Sequence, residues 1–189
     1  AKTLEKVGAY GLCVAMIEEL IQIREAKINT PILHLGILNK NYIDLYQSKE
    51  NICTINSKHD IDIINSFLKG TNKKIYCHLK VDTGMSRLGV CHDRAIDIIK
   101  LIKSENNIKL TGMYSHFSSS DENDDSFTKL QLKRFNEVVD WANDLIPEDR
   151  DYHISNSAGL LKANLNHLNA VRAGISLYGV NNTNIQHDL

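Results

Sequence analysis

The sequence predicts an α/β fold, an incomplete (β/α)8 barrel, and three observations carry that expectation. Seven short apolar runs alternate with stretches of helical periodicity, the pattern of parallel β/α units. Polar residues gather at the ends of several of those runs, where barrels build their sites. The chain has 189 residues, whereas a closed eight-stranded barrel takes about 250, so it looks one unit short. A doubly wound open sheet satisfies the alternation equally, but no G-x-G-x-x-G supports it.

Composition narrows the class further. The chain is 42% hydrophobic with a formal charge of −1, which reads as a soluble globular chain of about one domain. No basic excess favours nucleic acid, no apolar run approaches the ~20 residues of a membrane helix, and the N-terminus shows no signal-peptide pattern. A cytoplasmic protein is expected. Cys13, Cys53, Cys77 and Cys91 form no C-x-x-C pair and are expected as buried reduced thiols. Two prolines, Pro31 and Pro147, interrupt the chain, and no Gly/Ser-rich linker divides it.

Each element has its own signal. Ala1 to Lys6 reads as the last turns of a helix, with Gly8 at its stop. Gly11 to Ala15 is short enough for a buried strand. Met16, Ile17, Leu20, Ile21 and Ile23 then recur at helical spacing against Glu18, Glu19, Gln22 and Arg24. Pro31 opens the strand run Ile32 to Leu35, and a helical stretch covers Tyr42 to Gln47. Ile52 to Ile55 is the next strand, and Ser57 caps a helix that runs through Phe67 and Leu68 to Gly70. Ile75 to Val81 precedes a helix near Arg94 to Lys103, and Leu110 to Ser115 precedes the long amphipathic helix Phe127 to Leu145. Tyr152 to Ser155 and Ala170 to Leu177 complete the strands.

The stretch Lys80-Val81-Asp82-Thr83-Gly84-Met85-Ser86-Arg87-Leu88-Gly89-Val90 sets a lysine, an aspartate and an arginine around a glycine turn. Along its strand, Ile75, Cys77, Leu79 and Val81 point one way, and Tyr76, His78, Lys80 and Asp82 the other. If the apolar set packs on helices, Lys80 points into the barrel, where an unpaired ammonium is costly. A carboxylate partner, or a lowered pKa with a neutral amine open to a carbamate, both answer that cost. A solvated lysine on an edge strand is the bland alternative.

Other polar residues end strand runs. His116 follows Leu110 to Ser115, Asn156 and Ser157 follow Tyr152 to Ser155, and Arg172 lies in Ala170 to Gly179. Singly, each has an ordinary structural reading; together they would converge on one rim. Ser157 at a helix start and Gly174, with no side chain, suit a phosphate group, and Arg172 beside them suits a heterocycle nitrogen. A phosphorylated ring cofactor follows as an expectation. Asp121, Glu122, Asp124 and Asp125 read as a solvated rim rather than a metal loop, and His153 and His167 receive no role.

These motifs resemble the alanine racemases. The resemblance rests on Lys80 to Val90 (KVDTGMSRLGV), Tyr114 to Phe117 (YSHF) with Asp121 following, His153 to Ala158 (HISNSA) and Val171 to Gly179 (VRAGISLYG). Gly8 to Ala15 and Pro31 to Gly36 resemble the family's second and third barrel units. The resemblance implies an N-terminal barrel that binds pyridoxal 5'-phosphate and a homodimer that interconverts L- and D-alanine on a cofactor aldimine, for peptidoglycan. Arg87 matches the holder of the substrate carboxylate and the cofactor's phenolic oxygen. Lys80 matches the lysine, often carbamylated, that orients that arginine. Arg172 matches the arginine facing the pyridine nitrogen and His116 its neighbour, with Ser157 and the backbone at Gly174 and Ile175 as the phosphate cradle. Asp121 matches a residue of the substrate entryway.

By the same resemblance, residues 1–180 are an incomplete barrel and 181–189 begin a linker, with the first strand and a C-terminal β-domain outside the chain. The two catalytic bases, a lysine in a K-x-N-A-Y-G-type motif and a tyrosine, are expected there too. Ala9-Tyr10-Gly11 only echoes that motif, with Lys6 on a helix. Alone, the chain is expected to be inactive and to leave Gly11 to Ala15 and Ala170 to Leu177 as unpaired edges. A serine or broad-specificity racemase, a non-catalytic pyridoxal-phosphate-binding barrel, and a metal-dependent barrel hydrolase using Lys80 and His116 are the alternatives.

Overall fold

The computed structural model describes residues 1–145, 150–162, 168–181 and 183. His167 and Pro147 therefore lie outside the described residues, as do 182 and 184–189 of the expected linker. Strands follow one another in the order β1 (Leu12–Val14), β2 (Ile32–His34), β3 (Asn51–Ile55), β4 (Ile75–Asp82), β6 (Ile108–Tyr114) and β7 (Asp151–His153), with β5 (Val90–Cys91) paired to β4. Successive parallel strands separated by helices make a partial β/α barrel, as expected. The chain divides into two compact units, Ala1–Leu79 with Leu101–Thr111, and Lys80–Lys100 with Gly112–Leu189.

The first unit holds α1 (Lys2–Lys6), β1 (Leu12–Val14), α2 (Ile17–Glu25), β2 (Ile32–His34), β3 (Asn51–Ile55) and α3 (Lys58–Leu68). It also holds the start of β4 (Ile75–Asp82) and of β6 (Ile108–Tyr114). The ladder is parallel throughout, with Leu12 opposite Ile32, Leu33 opposite Ile52 and Cys53 opposite Cys77. Every residue of β3 is buried, as a strand covered on both faces must be. Two helix starts are fixed by carboxylates three residues in: Glu19 accepts from Ala15 N and Met16 N, and Asp60 from Asn56 N and Ser57 N.

Arg24 closes the loops on the opposite side of α2. Its guanidinium donates to Asn51 Oδ1 (2.7 Å) and to the carbonyls of Ile28 (2.6 Å), Thr30 (3.0 Å) and Glu50 (2.7 Å).

The second unit carries the ends of β4 and β6, β5 (Val90–Cys91), α5 (Ser126–Leu145), β7 (Asp151–His153), α6 (Ser157–Leu161) and the first part of α4 (Ala95–Ser104). β6 and β7 pair in parallel, Tyr114 opposite His153. Helix α5 buries Thr128, Gln131, Leu132, Phe135, Val138, Val139 and Ala142, a stripe at helical spacing.

Several expectations need correction. Ala170 to Leu177 is not a strand: Ala170 makes one bridge to His153, and Ile175–Tyr178 is a 3-10 turn. Gly174, at φ −130 and ψ −93, takes the chain out of the extended conformation, and Ile175, Leu177 and Tyr178 are exposed. The stretch Tyr42 to Gln47 lies in a 3-10 helix, Lys40–Gln47. The two-residue strand β5 lay below the length at which periodicity reads. Cys53 and Cys77 are buried, but Cys13 and Cys91 are exposed, and none of the four is in a disulfide. Among the described residues no helix is long and apolar enough to cross a membrane.

Replacing Arg24 by leucine leaves a side-chain oxygen and three carbonyls without their donor, and is expected to cost roughly 2–3 kcal/mol. Urea denaturation of the full-length polypeptide measures it. A loss under about 0.5 kcal/mol would show that water replaces the guanidinium there.

Candidate functional site

All of the residues singled out as candidates lie in the second unit. Arg172 is its hub, and the backbone places it: Ala170 bridges His153, and Arg172 N donates to Ser155 O at 3.0 Å. Its Nη2 donates to Ser115 O (2.7 Å), His116 Nδ1 (3.0 Å) and Ile154 O (3.2 Å). Its Nη1 donates to His153 Nδ1 and to His153 O. A guanidinium donates only. Both imidazoles must therefore accept at Nδ1, which puts the proton of each neutral ring on Nε2. For His116 the charge state agrees, because burial, then Arg172, Lys80 and Arg87 push its pKa down to about 4.

Tyr114 is the floor of the cluster. His153 stacks on its ring at 5.1 Å and 3°, Lys80 Nζ lies 4.7 Å from its centroid and Arg172 Cζ 5.2 Å. Lys80 is buried, as the alternation along β4 required, and among the described residues no ion pair engages its ammonium. Burial, then the positive charges of Arg172 and Arg87, bring its pKa down to about 7 against the opposing pull of Asp82. A lowered pKa leaves the amine open to a carbamate. Gly89, at φ 108, makes room for the stem: a Cβ there would lie 2.6 Å from Lys80 Cγ.

Arg87 sits on the turn after β4. Asp82 Oδ1 shapes that turn by accepting from Gly84 N (2.9 Å) and Ser86 N (3.0 Å), and Gly84 and Ser86 both take positive φ. Arg87 is itself exposed, and its charge acts on both Lys80 and His116.

The third group is a ring of donors around one hydroxyl. Asn156 caps α6 through Gly159 N (2.9 Å), which sets Ser157 at the helix start. Ser157 Oγ then accepts from Gly174 N (2.9 Å), Ser176 N (3.3 Å) and Ser176 Oγ (3.2 Å). A Cβ added to Gly174 would meet only this Oγ, at 3.8 Å. Convergent N–H and hydroxyl groups beside such a space suit a phosphate oxygen. Ser176 supplies the second backbone donor to this hydroxyl, and Ile175 opens the 3-10 turn with an exposed side chain.

Asp121 is exposed beside Ser120, whose hydroxyl donates to Asn156 Oδ1 at 2.8 Å. The acidic loop is a largely solvated rim, as expected, with Asp121, Glu122 and Asp124 exposed and Asp125 half-buried. Lys162 Nζ donates to Asp125 Oδ1 and Glu122 O, both at 2.6 Å, and Asp124 holds Ser126 N. Among the described residues the donor set compact enough for a metal is Cys91, His92 and Asp93, within 4.8 Å of one another on consecutive, largely exposed residues.

Sequence reasoning passed over His153, Tyr114 and Ser176. Their signal is pairing: His153 stands two residues after a strand start, opposite Tyr114, and Ser176 four residues past Arg172. It also needs a refinement at Lys6-Val7-Gly8-Ala9-Tyr10-Gly11, which has the K-x-x-A-Y-G spacing. Lys6 is nevertheless an exposed residue at the end of α1, so placement rather than spacing separates it from a strand lysine.

Comparison with known proteins gives a consistent result. The family model described as alanine racemase, N-terminal domain, matches residues 1–182. The alanine racemase of Halothermothrix orenii is 37% identical over 180 residues, 95% of this chain and 48% of its own length. That of Carboxydothermus hydrogenoformans is 34% identical over 179 residues, again 95% of this chain and 48% of its own. The solved alanine racemase of Clostridium difficile 630 superimposes with a TM-score of 0.87 at 32% identity, over 97% of this chain and 48% of that one. The chain thus spans about half the length of the curated relatives it matches.

The two depressed pKa values make stability depend on pH. Each group binds its proton more weakly folded than unfolded, so stability rises with pH between the two values. For His116 that window is about 4 to 6.5, and for Lys80 about 7 to 10.5. Unfolding free energies from urea denaturation are expected to rise from pH 5 to 6.5 and again from pH 7.5 to 9, by on the order of 1–2 kcal/mol each. His116→Gln should flatten the first rise alone; equal slopes in both proteins would remove His116 as its source.

Proposed function

This chain belongs to the alanine racemase family, and from that premise we propose that it is the cofactor- and substrate-holding part of a pyridoxal-phosphate-dependent racemase of alanine. The observation that carries the reading is the donor-only Arg172, held against two neutral imidazoles and two residues before the Gly174–Ser176 cradle. In this reading Ser157, Gly174 and Ser176 hold the phosphate, and Arg172 faces the pyridine nitrogen. When bound, pyridoxal phosphate supplies an electron-withdrawing ring that acidifies the substrate's α-hydrogen.

The chain's own residues then bind and orient. An acidic partner would keep the pyridine nitrogen protonated; Arg172 offers it only a hydrogen bond and leaves it neutral. With that nitrogen left neutral by Arg172, a bound cofactor would be a milder electron sink, which would suit removal and return of a proton at the substrate's α-carbon. His116 supports this by remaining neutral, because a second cation beside Arg172 would push the guanidinium out of place.

Arg87 forks onto the substrate carboxylate and the cofactor's phenolic oxygen. Lys80, with its pKa near 7, has a large neutral fraction at neutral pH. As a neutral amine its Nζ can add to carbon dioxide, forming an N–C bond and releasing a proton. The resulting carbamate would give Arg87 an anionic partner and relieve the crowding of positive charge. Asp121 lies on the entry side, and proton transfer is assigned to none of these residues.

The direct test incubates the full-length polypeptide with pyridoxal phosphate and L-alanine or L-serine and follows both enantiomers. D-alanine is the expected product; no D-enantiomer from either substrate would contradict the proposal. Arg87→Lys replaces a bidentate fork by a point charge and is expected to raise KM for alanine roughly tenfold or more. An unchanged KM would remove Arg87 from the carboxylate.

A further inference from the structure

Gln131 is a fully buried polar residue on the otherwise largely apolar inner stripe of α5. Its amide is used on both sides. Oε1 accepts from Ser118 N (3.0 Å) and Ser118 Oγ (3.1 Å), while Nε2 donates to His116 O (3.1 Å) and Thr83 Oγ1 (3.2 Å). Ser118 N only donates and His116 O only accepts, so the amide has one possible orientation. Thr83 Oγ1 also pairs with Ser115 Oγ at 2.8 Å, and one turn along α5 Arg134 Nη1 donates to Thr83 O at 2.8 Å.

Every partner of this amide lies on one of two segments. Thr83 begins the turn that carries Arg87, and Ser115 to Ser118 is the segment that carries His116. Helix stability alone does not call for such a residue, because an apolar side chain on that stripe would avoid burying an amide. Resting on the racemase reading, we infer that Gln131 is a positioning residue: it sets the Arg87 turn and the His116 segment at fixed separation, so that Arg87 and Arg172 meet one substrate–cofactor pair. It touches neither. Arg134 braces the same turn from one helical turn away.

Two substitutions in the full-length polypeptide test this. Gln131→Met removes both the donor and the acceptor at similar volume. Gln131→Glu keeps the acceptor and regains the donor only when protonated, and burial favours that form. For Gln131→Met, KM for alanine is expected to rise about tenfold with a smaller change in kcat. For Gln131→Glu, the defect relative to wild type is expected at pH 8.5 and to shrink towards pH 6.5. A residue serving only to keep the protein folded would lower active protein without that pH-dependent rescue. Hydrogen exchange gives a readout independent of activity: the Ser118 amide, whose acceptor is Gln131 itself, should exchange at least tenfold faster in Gln131→Met, with the turn at 83–87 also faster. Failure of the wild type to racemise would count against the racemase reading, and exchange would still decide the tie between the segments. Unchanged exchange at Ser118, or variants within twofold of wild type in KM at both pH values, would overturn the inference.

Discussion

A guanidinium carries five N–H groups and no acceptor, and at Arg172 that chemistry dictates the state of everything around it. Three main-chain carbonyls, Ser115, His153 and Ile154, and two ring nitrogens face its Nη atoms. The ends of β6 and β7 are thereby drawn to one charge. Neither histidine can become an imidazolium through Nδ1 without placing N–H against N–H. The cluster is stable only with both rings neutral, so its tautomers follow from one permanently charged residue.

Burial first, and then the same positive charge, explain Lys80. Held near the Tyr114 ring that Arg172 also approaches, its ammonium meets aromatic π density in place of water. That substitution is incomplete, and the ammonium gives up its proton more readily than an ordinary lysine, its pKa brought down to about 7. Positive groups gathered with Asp82 as the opposing charge make poor structural glue and a good receptacle for anions.

Much of this was legible in the sequence, for definable reasons. Alternation along β4 correctly placed Lys80 on a buried face because strand geometry has a period of two. Asn156 and Ser157 were readable because helix caps use few residue types. Ala170 to Leu177 misled because Val171, Ala173, Ile175 and Leu177 alternate like a strand, while the turn at Gly174 depends on tertiary bonds to Ser157 and Ser155. His153 and Gln131 were invisible as site residues because their partners lie far along the chain: Arg172 is 19 residues from His153, and Thr83 is 48 from Gln131. Gln131 did leave one trace, a glutamine at a position where the helical period calls for an apolar side chain.

The central claim is that Arg172 fixes His116 as a neutral ring protonated on Nε2. Nitrogen-15 NMR of the imidazole in the full-length polypeptide, followed from pH 8 to 5, tests it most directly. An unprotonated Nδ1 and a protonated Nε2 are expected throughout, and Arg172→Ala is expected to raise the ring's pKa and release the tautomer, with burial, Lys80 and Arg87 still holding the pKa below the ordinary value. A ring carrying both protons at pH 6 in the unsubstituted protein would contradict it.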